Sequence, residues 1–173
     1  LRKEQDRFSE AFECFDRVIA GDPSQPQAHY LRAATLARAS FTHEAIAGYR
    51  RCLELSPGHS GALLGLGHVL NAIGDYTGAV ESYNACIRRT PESGETYWSL
   101  ANLKTYRFDD ALVESMARLA TAPDVTPQSE VNFLFAARLG RIGGISGGPG
   151  ITTGPATTSS ARRSSTTRCK PKS

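Results

Sequence analysis

From Ser60 to Glu92 the chain reads SGALLGLGHVLNAIGDYTGAVESYNACIRRTPE, two apolar-periodic runs separated by Gly74-Asp75 and closed by Pro91. Leu66 and Leu70 in the first run, and Ala79 and Tyr83 in the second, stand four residues apart, which puts each pair on one face of an α-helix. The glycine predicts the turn between the helices. Pro91 predicts the stop, because proline lacks an amide donor and pushes its predecessor out of the helical region. Pro57 and Pro23 precede Pro91 at the same interval of 34 residues. At that period SEAFECFDRVIAGDP, HEAIAGYRRCLELSP and TGAVESYNACIRRTP align without a gap, and DDALVESMARLATAP follows after a shortened step. The fold expected is all-α, a stack of helix-turn-helix units in which Gly67 and Ala79 are small so that antiparallel helices cross closely. Tyr83 is expected to fill the space between its unit and the next.

Leu66, Gly67, Gly74, Ala79, Tyr83 and Pro91 resemble the pattern of the tetratricopeptide repeat family. The resemblance implies an α-solenoid over residues 1–123. A half repeat, 1–23, carries Ala11, Phe15 and Pro23; repeat 24–57 carries Ala33, Ala45, Tyr49 and Pro57; repeat 58–91 is the most regular; repeat 92–123 carries Ala101, Ala111 and Pro123. Residues 124–139 begin a fifth unit, with Val131, Leu134 and Phe135 on one helical face. The second repeat departs from the pattern at Arg32, where an apolar residue is expected, and at Ser40-Phe41, which replaces the turn glycine. The fourth is two residues short. Its stretch ETYWSLANLKTYRFDDALVESM resembles, more narrowly, the repeat that precedes the catalytic domain in bacterial tetratricopeptide-repeat sulfotransferases. The phosphosulfate-binding loop of those enzymes has no counterpart in this chain. What the resemblance implies here is a non-catalytic, regulatory or substrate-presenting part of a protein-tyrosine-sulfotransferase-like enzyme.

Charge changes this picture little. The net charge is +3 over 173 residues, yet residues 140–173 carry six Lys or Arg and no acid, so the patterned part is slightly acidic. The basic excess lacks the interleaved aromatics that base stacking requires, and no nucleic-acid partner is expected. No apolar run reaches the roughly 18 residues of a membrane span, so no membrane partner is expected either. Cys14, Cys52, Cys86 and Cys169 form no metal-binding spacing; Cys52 and Cys86 lie one repeat apart, as buried free thiols of a reducing, cytoplasmic setting. His29, His43, His59 and His68 show no metal-ligand spacing, and the glycine-rich GRIGGISGGPG has no closing Gly-Lys-Ser/Thr. No catalytic residue, cofactor or metal is expected. Asp109-Asp110 reads as a helix start.

What remains is a surface. The family's concave face, carried onto this chain, falls on Tyr30, Ala34 and Arg38, on Leu64, His68 and Asn71, and on Trp98, Asn102 and Thr105. The lysines of carboxylate-clamping members are not reproduced, since Tyr30, Leu64 and Trp98 occupy those places. The function expected is protein–protein interaction: a scaffold holding an extended peptide by apolar anchors, Trp98 first among them, with amides for backbone hydrogen bonds.

After Gly140 the rhythm dissolves into GGISGGPGITTGPATTSSARRSSTTR, and residues 140–173 are expected to be disordered. The chain opens on Leu1 and reads as a fragment. One permissible set of codons for Ala137 to Ile145, read from its third base and preceded by a glycine codon, gives GKAWQDRGD. That string has the glycine, aromatic and Gly-Asp turn of a fifth repeat. An out-of-frame tail is the expectation.

Overall fold

The computed structural model describes residues 2–103 and 106–143. Eight helices follow one another there: α1 (Arg2–Gly21), α2 (Pro26–Arg38), α3 (Thr42–Leu55), α4 (Ser60–Ala72), α5 (Tyr76–Arg89), α6 (Gly94–Ala101), α7 (Asp110–Ala120) and α8 (Pro127–Gly143). No strand occurs among the described residues. α2 pairs with α3 and α4 with α5, α3 lies on α4, and α1 lies on α2. The fold is a stack of helical pairs, all-α as the periodicity requires.

The repeated prolines act on their predecessors. α3 and α5 end at Leu55 and Arg89 because Ser56 (φ −142°, ψ 86°) and Thr90 (φ −135°, ψ 72°), each directly before a proline, are extended. The turn that Gly74 was expected to make is made with φ +83°, and Ser40 makes the same turn with φ +65°. The amide of Phe41 bonds the Leu36 carbonyl at 2.9 Å, as that of Asp75 bonds Leu70 at 2.9 Å. The backbone closure is therefore identical, and a β-carbon is forced into the left-handed region at residue 40.

The first core runs through the two regular pairs. Ala33, Ala45 and Ala79 are fully buried, and Leu66, Tyr49 and Tyr83 nearly so. Tyr83 lies over Gly67 of its own unit: a β-carbon on Gly67 would stand 2.5 Å from Cε1 of the ring. The ring meets His68 edge-on at 5.7 Å between centroids. The ring thus packs on the preceding helix and shares one core with Leu100 and Leu103 of the next unit. In α1 the corresponding positions, Ala11 and Phe15, are half-buried, because no other described helix covers them as α2 covers Ala45 and α4 covers Ala79. Arg32, standing in the register of Leu66, turns back to α1 and places Nε 2.7 Å from Asp16 Oδ1.

The fourth unit differs from expectation. α6 packs on α5 and on α8, and α7 packs on α8, but the backbones of α6 and α7 are not directly apposed. α8 lies between them. Gly94 makes this possible, since a β-carbon there would come within 2.6 Å of the Ser129 carbonyl oxygen and 2.7 Å of its Cα. Tyr97 and Phe133 then stack edge to face at 5.2 Å, closing a second core with Val113, Met116, Ala120, Ala136 and Ala137.

Ala111, assigned a packing position, is exposed, whereas Val113, Met116 and Ala120 are buried. Val113 and Ala120 stand one full 34-residue period after Ala79 and Cys86. The helical register is unbroken, and the early Pro123 is what made the unit look short. Asp109 caps α7 by accepting the Leu112 amide, which puts Ala111 in the solvent-facing first turn.

α8 runs to Gly143, four residues into the stretch expected to lack structure. Residues 144–173, with Cys169, lie outside the described residues. Cys52 and Cys86 are buried free thiols and Cys14 is an exposed one. Among the described residues no helix is long and apolar enough to cross a membrane.

Candidate functional site

The first helix of each regular unit presents its side away from the partner helix to an open groove of about 550 Å3. Two glycines shape it. A β-carbon on Gly61 would touch the Tyr30 ring at 3.1 Å, and one on Gly65 would overlap the Tyr49 ring at 2.6 Å. With hydrogen at both positions, α4 seats against the two rings of the preceding unit, which lie 6.2 Å apart. Tyr30 also lies against His59, 4.6 Å between centroids. His59 itself is fixed at both nitrogens: Nδ1 accepts the Ala62 amide, capping α4, and Nε2 lies 3.1 Å from Gln27 Oε1. That arrangement requires Nε2 to carry the proton.

Of the residues assigned to the concave face, Tyr30, Ala34, Arg38, Leu64 and His68 line this groove together. Ala37, Thr42, Tyr49, Val69 and Ala72 add to the apolar floor and rim, and Glu95 enters from α6. Asn71, Trp98 and Asn102 are not among its lining residues. Trp98 is 44% exposed, one turn beyond Glu95 on α6, while its neighbour Tyr97 is buried against Phe133. Asn102 donates its side-chain amide to the Trp98 carbonyl at 2.8 Å, so that donor is engaged. Thr105 lies outside the described residues.

Glu95 and Tyr49 escaped the sequence reading. Glu95 occupies, one period on, the position of Gly61. A search for charges at groove positions, beside aromatics and amides, would have found it. Tyr49 is a packing residue, as expected, whose ring edge lies against Gly65 at the floor of the groove.

His68 links the two ends of the site, its Nε2 3.0 Å from Ser99 Oγ on α6. Desolvation lowers its pKa, opposed by the charge of Glu95. Tyr49 is pushed up to about 12, first by burial and then by Tyr30. Burial thus disfavours the charged form of both rings. Arg38 and Glu95 are exposed, and neither has an ion-pair partner among the described residues. The arrangement offers apolar surface, hydrogen-bonding rings and two unspent charges.

A stack of helical pairs with such a groove has the architecture of an α-solenoid, and residues 34–94 match the family model described as tetratricopeptide repeat. Among solved structures, MamA 41-end from Desulfovibrio magneticus RS-1 is similar with a TM-score of 0.56 at 17% identity, over 82% of this chain and 90% of that one. The MamA RS-1 ArsTM double mutant gives 0.55 at 17%, over 80% and 88%. A crystal structure of MamA gives 0.54 at 16%, over 78% and 67%. At these identities the likeness is one of fold. No curated protein matches the sequence.

Proposed function

We propose that this chain is a non-catalytic protein-interaction module that holds an extended segment of a partner protein in the groove across α2, α4 and α6. The observation that carries the reading is the groove itself: Leu64, Ala34 and Val69 present apolar surface between Arg38 and Glu95. A solenoid whose first helices line a concave face holds extended chains in this way. The buried free thiols suit a reducing compartment, and the cytoplasm is the proposed location.

Trp98, the single tryptophan, is exposed beside the groove and serves as both anchor and reporter. Binding should shift its emission, and Trp98→Ala should weaken binding by about 2 kcal/mol if it is a hot spot. A panel of extended peptides titrated against wild type, Leu64→Arg and the convex-face variant Arg50→Ala tests the groove. Loss of binding in Leu64→Arg alone supports it; equal binding by all three rejects it.

A second reading rests on the stretch from Glu95 to Met116, which resembles sulfotransferase-associated repeats. The same groove would then present an acceptor polypeptide to a catalytic domain elsewhere in a longer protein. Activated-sulfate nucleotide should give no saturable isotherm with this chain. The reading fails if the sequence that follows in the parent gene encodes no such domain.

A further inference from the structure

The charges at the groove are placed at diagonally opposite corners. Arg38 is the last residue of α2, and Glu95 is the second of α6. α2 lies beside α4, and α4 reaches α6 through the His68–Ser99 contact, so the line from one charge to the other crosses the middle of α4. Leu64 and His68 lie on that line. Both charged side chains are exposed, both face the cavity, and neither is neutralised by a described neighbour. Burial disfavours the charged forms of Tyr49 and His68, which line the cavity between them.

We infer that the groove selects a charge-bipolar extended segment, with an acidic side chain against Arg38, a basic one against Glu95, and apolar residues over Leu64 between them. This rests on the groove reading above and gives it a ligand class. The spacing follows from the helix geometry. Adjacent packed helices lie about 8–10 Å apart, so two steps from α2 to α6 cover about 20 Å, and the shift from the end of α2 to the start of α6 adds about 16 Å along the helix axes, which makes a diagonal of about 26 Å. An extended chain rises about 3.3 Å per residue, which puts the two charges about eight residues apart. Arg38 recognises a carboxylate through a planar fork, whereas Glu95 accepts either Lys or Arg.

Three labelled nonapeptides test the inference: Asp-Val-Leu-Ser-Leu-Ser-Leu-Val-Lys, the same peptide with Asp at both ends, and the same with Lys at both ends. They are titrated by fluorescence polarisation at low salt against wild type, Arg38→Glu, Glu95→Lys and Leu64→Arg, whose helicity is checked by circular dichroism. Wild type should prefer the bipolar peptide by about fivefold over either other, in keeping with exposed pairs. Arg38→Glu should move the preference to the doubly basic peptide and Glu95→Lys to the doubly acidic one. These preferences should fade at high salt. Because the design compares charge content, it does not depend on the direction in which the chain lies. Unchanged preferences in both charge variants, with Leu64→Arg binding none of the peptides, overturn the charge assignment and leave the groove standing. Undiminished binding by Leu64→Arg, or no binding by wild type, overturns the groove reading as well.

Discussion

Gly67 lies so close beneath Tyr83 that a methyl group on its Cα would stand 2.5 Å from the ring. The ring belongs to a residue only 1% exposed, with no free space to retreat into. Gly67→Ala should therefore destabilise by about 1–3 kcal/mol despite the helix propensity that alanine adds. Thermal melts measure the loss. A Tyr83→Leu background should reduce the cost of Gly67→Ala, since the clash and its partner are removed together.

Ser40 offers the opposite opportunity. It holds the φ of +65° that Gly74 holds at +83° one repeat later, with matching backbone bonds. Ser40→Gly should stabilise by about 0.5–1 kcal/mol, the left-handed penalty of a β-carbon outweighing the entropy of glycine. Gly74→Ala should destabilise by about 1 kcal/mol or more. Denaturant midpoints moving the same way in both variants would contradict this account.

Gly94 locks α8 to α6. A β-carbon there meets backbone atoms of Ser129, which cannot rotate away. Gly94→Ala should displace α8 and loosen the Tyr97–Phe133 contact, leaving α2 to α5 intact. Amide exchange measured residue by residue should quicken over 127–141 and stay slow over 62–70. Uniform acceleration along the chain would mean that the two cores do not melt separately.

Stability should fall at both ends of the pH range. His68 titrates lower in the folded chain than its ordinary 6.5, so the unfolded chain binds the proton first, and stability present above pH 6.5 is lost as the pH falls below it. Tyr49 and Tyr97 are raised from 10 to about 12, so stability is full below pH 10 and is lost as the pH rises toward 12. Urea midpoints taken across both windows measure the two slopes. Tyr49→Phe should flatten the alkaline slope, and a slope unchanged by the variant would refute the assignment.

The regular pairs were legible because their packing is local. Ala33, Gly67, Ala45 and Ala79 sit at fixed offsets from prolines that end the same helices, and short-range sterics dictate each choice. Reading failed where the offset itself moved. Aligning the fourth unit on Pro123 put Ala111 at a packing site, whereas the buried Val113 and Ala120 hold the period from the units before. A proline marks where a helix must stop, but it does not fix which face of that helix turns inward. The wedge of α8 was not legible either, because the approach of Gly94 to Ser129 is a tertiary contact between helices separated by α7. At the groove, the family's concave positions pointed to Tyr30, Arg38, Leu64 and His68, but the purpose of Gly61 and Gly65, against which the tyrosine rings pack, shows only in three dimensions.

The exposed face of α8 carries a geometric instruction. Val131, Leu134 and Phe135, respectively 61%, 51% and 41% exposed, stand two periods after Leu63, Leu66 and Gly67, the residues that α5 covers on α4. Gly67 lets a tyrosine ring lie directly on the helix backbone, whereas Phe135 fills that place with a ring of its own. A helix laid against α8 in this register would meet the Phe135 ring with a small residue, the reverse of α4, where glycine receives the partner's tyrosine.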